Sequence, residues 1–76
     1  MAEKQPSDLE RAILKAVEDV LGRKVSLDDE ISSVEEWDSL KHLQIILEIE
    51  DRTGRKIPME EIGKVERVRD ILKLLR

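Results

Sequence analysis

Cysteine is absent from the 76 residues, which excludes disulfide bridges, thiolate metal sites and a cysteine nucleophile. Tyrosine and phenylalanine are absent as well, and histidine and tryptophan occur once each. Histidine is the commonest general acid or base, so a single copy leaves only carboxylates in number for proton transfer. A self-contained enzyme is therefore not expected. No apolar run is long enough to cross a membrane, and Met1-Ala2-Glu3-Lys4-Gln5-Pro6 lacks the apolar stretch of a secretory signal. The expectation is a cytoplasmic protein without a membrane partner. Positive charge is also in short supply: 14 Lys and Arg against 18 Asp and Glu give a net charge of −4. Such a chain cannot coat a polyanion, and no helical stretch carries a basic stripe with base-reading side chains, so nucleic acid is not an expected partner.

What remains is a chain rich in charge (42%) and in aliphatic residues, at a length that fits one hydrophobic core. The expected organisation is a single domain over 1–76, monomeric, with 1–6 as a flexible N-terminal segment. Ser7 and Glu10 form a capping-box pattern that opens a first helix at 7–21. Its apolar residues Leu9, Ala12, Ile13, Ala16, Val17, Val20 and Leu21 recur at three- and four-residue steps, and Gly22 supplies a left-handed stop. From Arg23 to Asp38 the periodicity fails. Val25, Leu27, Ile31, Val34 and Trp37 are spaced as anchors of a long loop, and Ser26 and Ser33 each resemble the start of a short helical turn within it. Connections of this length usually serve a purpose.

A second long helix is expected over 39–53, with Leu40, Leu43, Ile46, Leu47 and Glu50 on one face and Ile45 and Ile49 widening it. Apolar over much of its circumference, it is expected to be the central helix that touches every other. Glu48 and Arg52 form a solvated i,i+4 pair on it. Pro58 starts a short helix through Ile62, anchored by Ile57, Met59 and Ile62, and Gly63 ends it. Too short to be stable alone, this helix is expected to be the most easily displaced. Val68, Ile71, Leu72 and Leu75 give a last amphipathic helix. The fold class is all-α, with three longer helices, one short helix and no strands.

Chemistry concentrates at Trp37-Asp38-Ser39-Leu40, where the long loop meets the second long helix. A helix N-terminus gathers unpaired N–H groups, and a phosphate there gains about 0.3–1 kcal/mol. A phosphorylated serine suits this place, although the Asp38 carboxylate would offset part of the gain by repulsion. The plain structural reading is that Asp38 or Ser39 is an N-cap. Around it lie Asp28, Asp29, Glu30, Glu35, Glu36 and Asp38, with Glu48, Glu50 and Asp51 farther on. Singly these acids keep a surface wet, and as a set they suit docking to basic patches. A calcium site is not among the readings, because Asp28-Asp29-Glu30 lacks the alternating ligands and central glycine of an EF-hand loop. Trp37 is read as a core anchor. Met59 either fills a core gap or lines a pliable pocket.

Asp38-Ser39-Leu40 ahead of an apolar helix, then Glu48-Ile49-Glu50-Asp51, Gly54-Arg55-Lys56-Ile57-Pro58 and Val65 to Val68, resembles the acyl carrier protein family from Leu9 to Leu75 without a gap. The resemblance implies an up-and-down bundle of four helices with a long first loop. It implies that Ser39, flanked by Asp38 and Leu40, is esterified with 4'-phosphopantetheine by a phosphopantetheinyl transferase using coenzyme A. The arm would carry acyl, aminoacyl or polyketide-type intermediates as thioesters to and from the loading and transferring enzymes of a pathway. Cofactor thiol and partner enzymes then supply what the chain lacks. Lys41, His42, Glu48 and Ile62 are the candidate docking positions. Lys41 and His42 stand where the family is commonly acidic, and with Trp37 they favour a dedicated pathway over housekeeping fatty-acid synthesis. The alternative, from another class, is an unmodified helical adaptor of the same fold.

Overall fold

The computed structural model describes residues 8–75. The expected flexible segment 1–6 and the capping serine Ser7 lie outside the described residues. The order is α1 (Asp8–Leu21), a 3-10 turn (Ile31–Ser33), α2 (Ser39–Thr53), α3 (Met59–Ile62) and α4 (Asp70–Leu74). The all-α bundle is as expected from the sequence, and its two long helices have the expected bounds to within a residue.

Helix α1 buries Ile13, Ala16 and Val17, one apolar stripe at helical spacing. It ends at Gly22, whose φ of 74° lies in the left-handed region that favours glycine. Helix α2 begins at Asp38, whose carboxylate accepts the Lys41 N–H at 2.8 Å, and stops at the left-handed Gly54. Beyond it, Glu50 Oε2 accepts the Ile57 N–H at 2.8 Å and fixes the path of the chain into α3.

The core is Ile13, Ala16, Val17, Val34, Trp37, Ile45, Ile46, Ile49, Ile57, Val68, Ile71 and Leu75, and no polar side chain among the described residues is buried with them. Two expectations are corrected here. Helix α2 faces the core with Ile45, Ile46 and Ile49, while Leu40 (64% exposed), Leu43 (49%) and Leu47 (64%) point to solvent. Helix α1 lies along α2 and also packs on α4, and no element of like length lies over the leucine side of α2. The physical reason is that α3 is a single turn, too short to cover the leucine side of α2. Met59 is 77% exposed and neither fills the core nor lines an enclosed pocket.

The long loop carries one helical turn, Ile31–Ser33. At Ser26 the capping-like pattern closes a tight turn, with Asp29 Oδ2 accepting the Ser26 N–H at 2.9 Å. Val34 and Trp37 pin the loop to the core as expected. Its Leu27–Ile31 stretch pairs with the chain ahead of α4: Ile31 N–H donates to Glu66 C=O (2.9 Å), Val68 N–H to Asp29 C=O (3.1 Å) and Arg69 N–H to Leu27 C=O (2.9 Å). The last helix, expected to be one of three longer ones, therefore has only five residues. Backbone groups that would have extended it are spent on the loop.

Candidate functional site

Ser39 is the first residue of α2 and is exposed. Its position follows from Asp38, which takes the capping role and so leaves the serine hydroxyl without a hydrogen bond among the described residues. The two readings of this junction thus divide between neighbours: Asp38 caps, and Ser39 is free to react. Ser39 opens onto a cleft of about 580 Å³ lined by Ile31, Trp37, Asp38, Ser39, His42, Leu43, Gly63 and Val65. One wall is the long loop, one is the first turn of α2, and the third is the connection between α3 and α4.

Two cleft residues are tied to each other. Trp37 is 8% exposed, and its indole N–H donates to His42 Nδ1 at 2.9 Å. On the other side of the imidazole, His42 Nε2 stands 2.9 Å from the Ile62 carbonyl oxygen at the end of α3. A buried indole N–H needs an acceptor. His42, one turn along, is the side chain that provides it. The pair was not expected from the sequence, although that need was a signal for it, while the Ile62 carbonyl, like the Ile31, Gly63 and Val65 lining, comes from chain segments that periodicity does not place together.

The structure brings Asp38, Ser39 and His42 to one cleft and sets Ile62 against it through its carbonyl. Leu40 projects to solvent beside it, and Lys41 is half-buried. Glu48 is not brought to the cleft: its carboxylate accepts from Arg52 Nε at 2.9 Å, and Arg52 also reaches Asp19 of α1 at 2.7 Å. The Arg52 guanidinium holds the Asp19 carboxyl below its ordinary range, and the two carboxylates in turn hold Arg52 protonated. Several other acids near the loop are also paired. Glu36 is hydrogen-bonded by Arg23 at 3.1 Å, which holds its carboxyl below the ordinary range. Glu30 pairs with Arg67 and Asp28 with Arg69. No cluster of metal-ligating side chains occurs among the described residues, and no helix among them is long and apolar enough to cross a membrane.

The residues present fit a covalent arm. A solvent-facing hydroxyl is free for esterification, the adjacent carboxylate is committed to the backbone, and a half-apolar cleft lies alongside.

The sequence model of the family described as "Phosphopantetheine attachment site" matches residues 11–75. Two curated relatives are similar, each called "Acyl carrier protein", from Rickettsia bellii strains RML369-C and OSU 85-389. Each is 29% identical over 72 residues, covering 91% of this chain and 84% and 89% of the respective relative. No solved structure gives a significant match. A match over almost the whole helical bundle, on a chain whose loop-to-α2 junction presents a free serine, settles the family: this chain belongs to the phosphopantetheine-attachment family and is a carrier of the acyl carrier protein type, not an enzyme, with 4'-phosphopantetheine as its covalent cofactor.

Proposed function

We propose that Ser39 is the attachment point, esterified through its hydroxyl by a phosphopantetheinyl transferase with coenzyme A as donor. The observation that carries this reading is the exposed, unengaged Ser39 hydroxyl at the head of α2, beside a cap residue that has taken over the backbone role. When bound, the arm supplies the thiol on which an acyl, aminoacyl or polyketide-type group travels as a thioester. The chain's own residues orient that arm. Asp38 fixes the first turn of α2, and Trp37 and His42 hold the loop and α3 around the cleft at its root. Leu40, Lys41, His42 and Ile62 form the rim that loading and transferring enzymes meet, and Glu48 flanks it farther along α2. The carrier works as a cytoplasmic monomer, and a tethered cargo gains local concentration at whichever enzyme is docked.

Incubation of the full chain with a phosphopantetheinyl transferase and coenzyme A is expected to add one arm to the intact mass. Ser39→Ala is expected to abolish the addition while leaving the circular dichroism spectrum unchanged. Failure of several transferases to modify the folded wild-type chain would favour the unmodified adaptor.

A further inference from the structure

We propose that His42 is a proton-operated latch on the cleft beside Ser39: uncharged, it ties Trp37 at the end of the long loop to α3, and protonation breaks the Trp37 tie while keeping the one to α3. Trp37 Nε1–H can only donate, so His42 Nδ1, 2.9 Å away, must be bare. The Ile62 carbonyl can only accept, so His42 Nε2, 2.9 Å away on the far side, must carry the hydrogen. The two partners together fix the neutral Nε2–H tautomer. They do so across three chain segments, the end of the loop, the second turn of α2 and the end of α3.

Protonation adds a hydrogen at Nδ1, where it meets the indole N–H head on. Two donors cannot pair. On the other side the Nε2–H remains, and its bond to the Ile62 carbonyl becomes charge-assisted and stronger. The new charge gains little from the indole ring: the imidazole approaches the N–H edge, with centroids 5.9 Å apart and planes tilted by 42°, and that edge is the positive rim of the ring quadrupole. One proton therefore acts in opposite senses on the two ties. Trp37 lines the cleft that Ser39 opens onto, so the broken bond loosens one wall of that cleft.

The charged groups on the surrounding elements do not take Trp37's place. On α2, the Asp38 carboxylate accepts from the Lys41 backbone N–H. On the loop, Glu36 is engaged by Arg23, and on the α3 side Glu61 is paired with Lys64 at 3.8 Å. None of these, nor Glu35, Glu60 or the Lys41 ammonium, hydrogen-bonds the imidazole.

The inference does not require Ser39 to be modified, so its test uses the full unmodified chain, with Trp37, the only tryptophan, as reporter. Nitrogen-15 NMR of the uncharged imidazole is expected to show the Nε2–H tautomer. As acid protonates the ring, the Trp37 emission maximum is expected to shift to the red. Its indole N–H should exchange roughly three- to tenfold faster relative to the intrinsic rate at the same pH, the factor corresponding to one lost hydrogen bond. The Ile62–Gly63 region should stay as protected as before. His42→Gln keeps an acceptor and a donor but takes up no proton, and is expected to show neither transition. An Nδ1–H tautomer of the uncharged ring, protonation of the wild-type ring with no change at Trp37, or the same change in folded His42→Gln would each overturn the latch. Failure of Ser39 modification would leave these readouts untouched. If His42→Gln does not fold, the tautomer and the wild-type exchange titration decide alone.

Discussion

Three isoleucines and three leucines on one helix have opposite fates. Ile45, Ile46 and Ile49 are at most 2% exposed, whereas Leu40, Leu43 and Leu47 are 49% to 64% exposed. The isoleucines sit where α1 covers α2, and truncating one leaves a cavity that its close-packed neighbours can fill only partly. Ile49→Ala is expected to cost about 3 kcal/mol, a large share of what so small a domain has to lose. Leu47→Ala, which leaves no cavity, is expected to change stability by less than about 0.5 kcal/mol. Urea melts of the two variants check the pair, and similar losses in both would show that the leucine side of α2 is covered in solution. Periodicity found this helix and both its ends, because Asp38 and Gly54 mark them chemically. It misplaced the inward face, because a helix with aliphatic residues on most sides carries no internal sign of which stripe its neighbours reach.

At the scale of elements, the same limit explains α4. Val68, Ile71 and Leu75 are buried as their spacing suggests, yet the turn that should have preceded Asp70 is drawn into pairing with the loop at Asp29 and Leu27. Nothing in local spacing announces a partner some forty residues away. Asp70 secures the arrangement: its Oδ2 accepts the Arg67 N–H at 3.0 Å and the Glu66 N–H at 3.1 Å. These two amides hold its carboxyl below the ordinary carboxylate value of 3.8. A carboxyl lowered in the folded state stabilises the fold above its unfolded value, and that contribution fades as pH falls through the folded value. Asp70→Ala is expected to cost about 1 kcal/mol near neutrality, the usual scale for a lost cap. The gap from wild type should close in acid below the ordinary carboxylate range. Parallel thermal melts along a pH series test this, and a constant gap would mean that the carboxylate charge plays no part. Helix α3 stands at the other extreme, one turn with Met59 exposed and its end held by a His42 contact. Its amides are expected to exchange with solvent much faster than those at the centre of α2. Equal protection in hydrogen-exchange NMR would show that α3 opens only with the whole bundle.

For the molecule as a whole, the carrier assignment was legible through the family resemblance that Asp38-Ser39-Leu40, Gly54 and Ile57-Pro58 carry in order, since the chemistry of the junction alone reads as an N-cap. The way it meets partners was not, because charges that look alike in a sequence differ once paired. A set of acids around Ser39 suggested docking to basic patches. In the folded chain Asp28, Glu30, Glu36 and Glu48 are already matched by Arg69, Arg67, Arg23 and Arg52. Between Ser39 and Leu47 the only charged side chain is Lys41, among exposed Leu40, Leu43 and Leu47. Exposed ion pairs contribute little and are screened by salt, whereas apolar contact is not. Affinity of the full chain for its transferase is therefore expected to change by less than about threefold between low and moderate salt, far less than a contact between strongly charged patches would. Leu47→Ala, harmless to folding, is expected to weaken that affinity by about threefold or more through a faster off-rate. Binding measured across a salt series decides the matter, since a steep decline together with an unaffected Leu47→Ala variant would return the docking role to Asp29, Glu35, Asp38, Glu50 and Asp51, the acids of that set without a partner cation among the described residues.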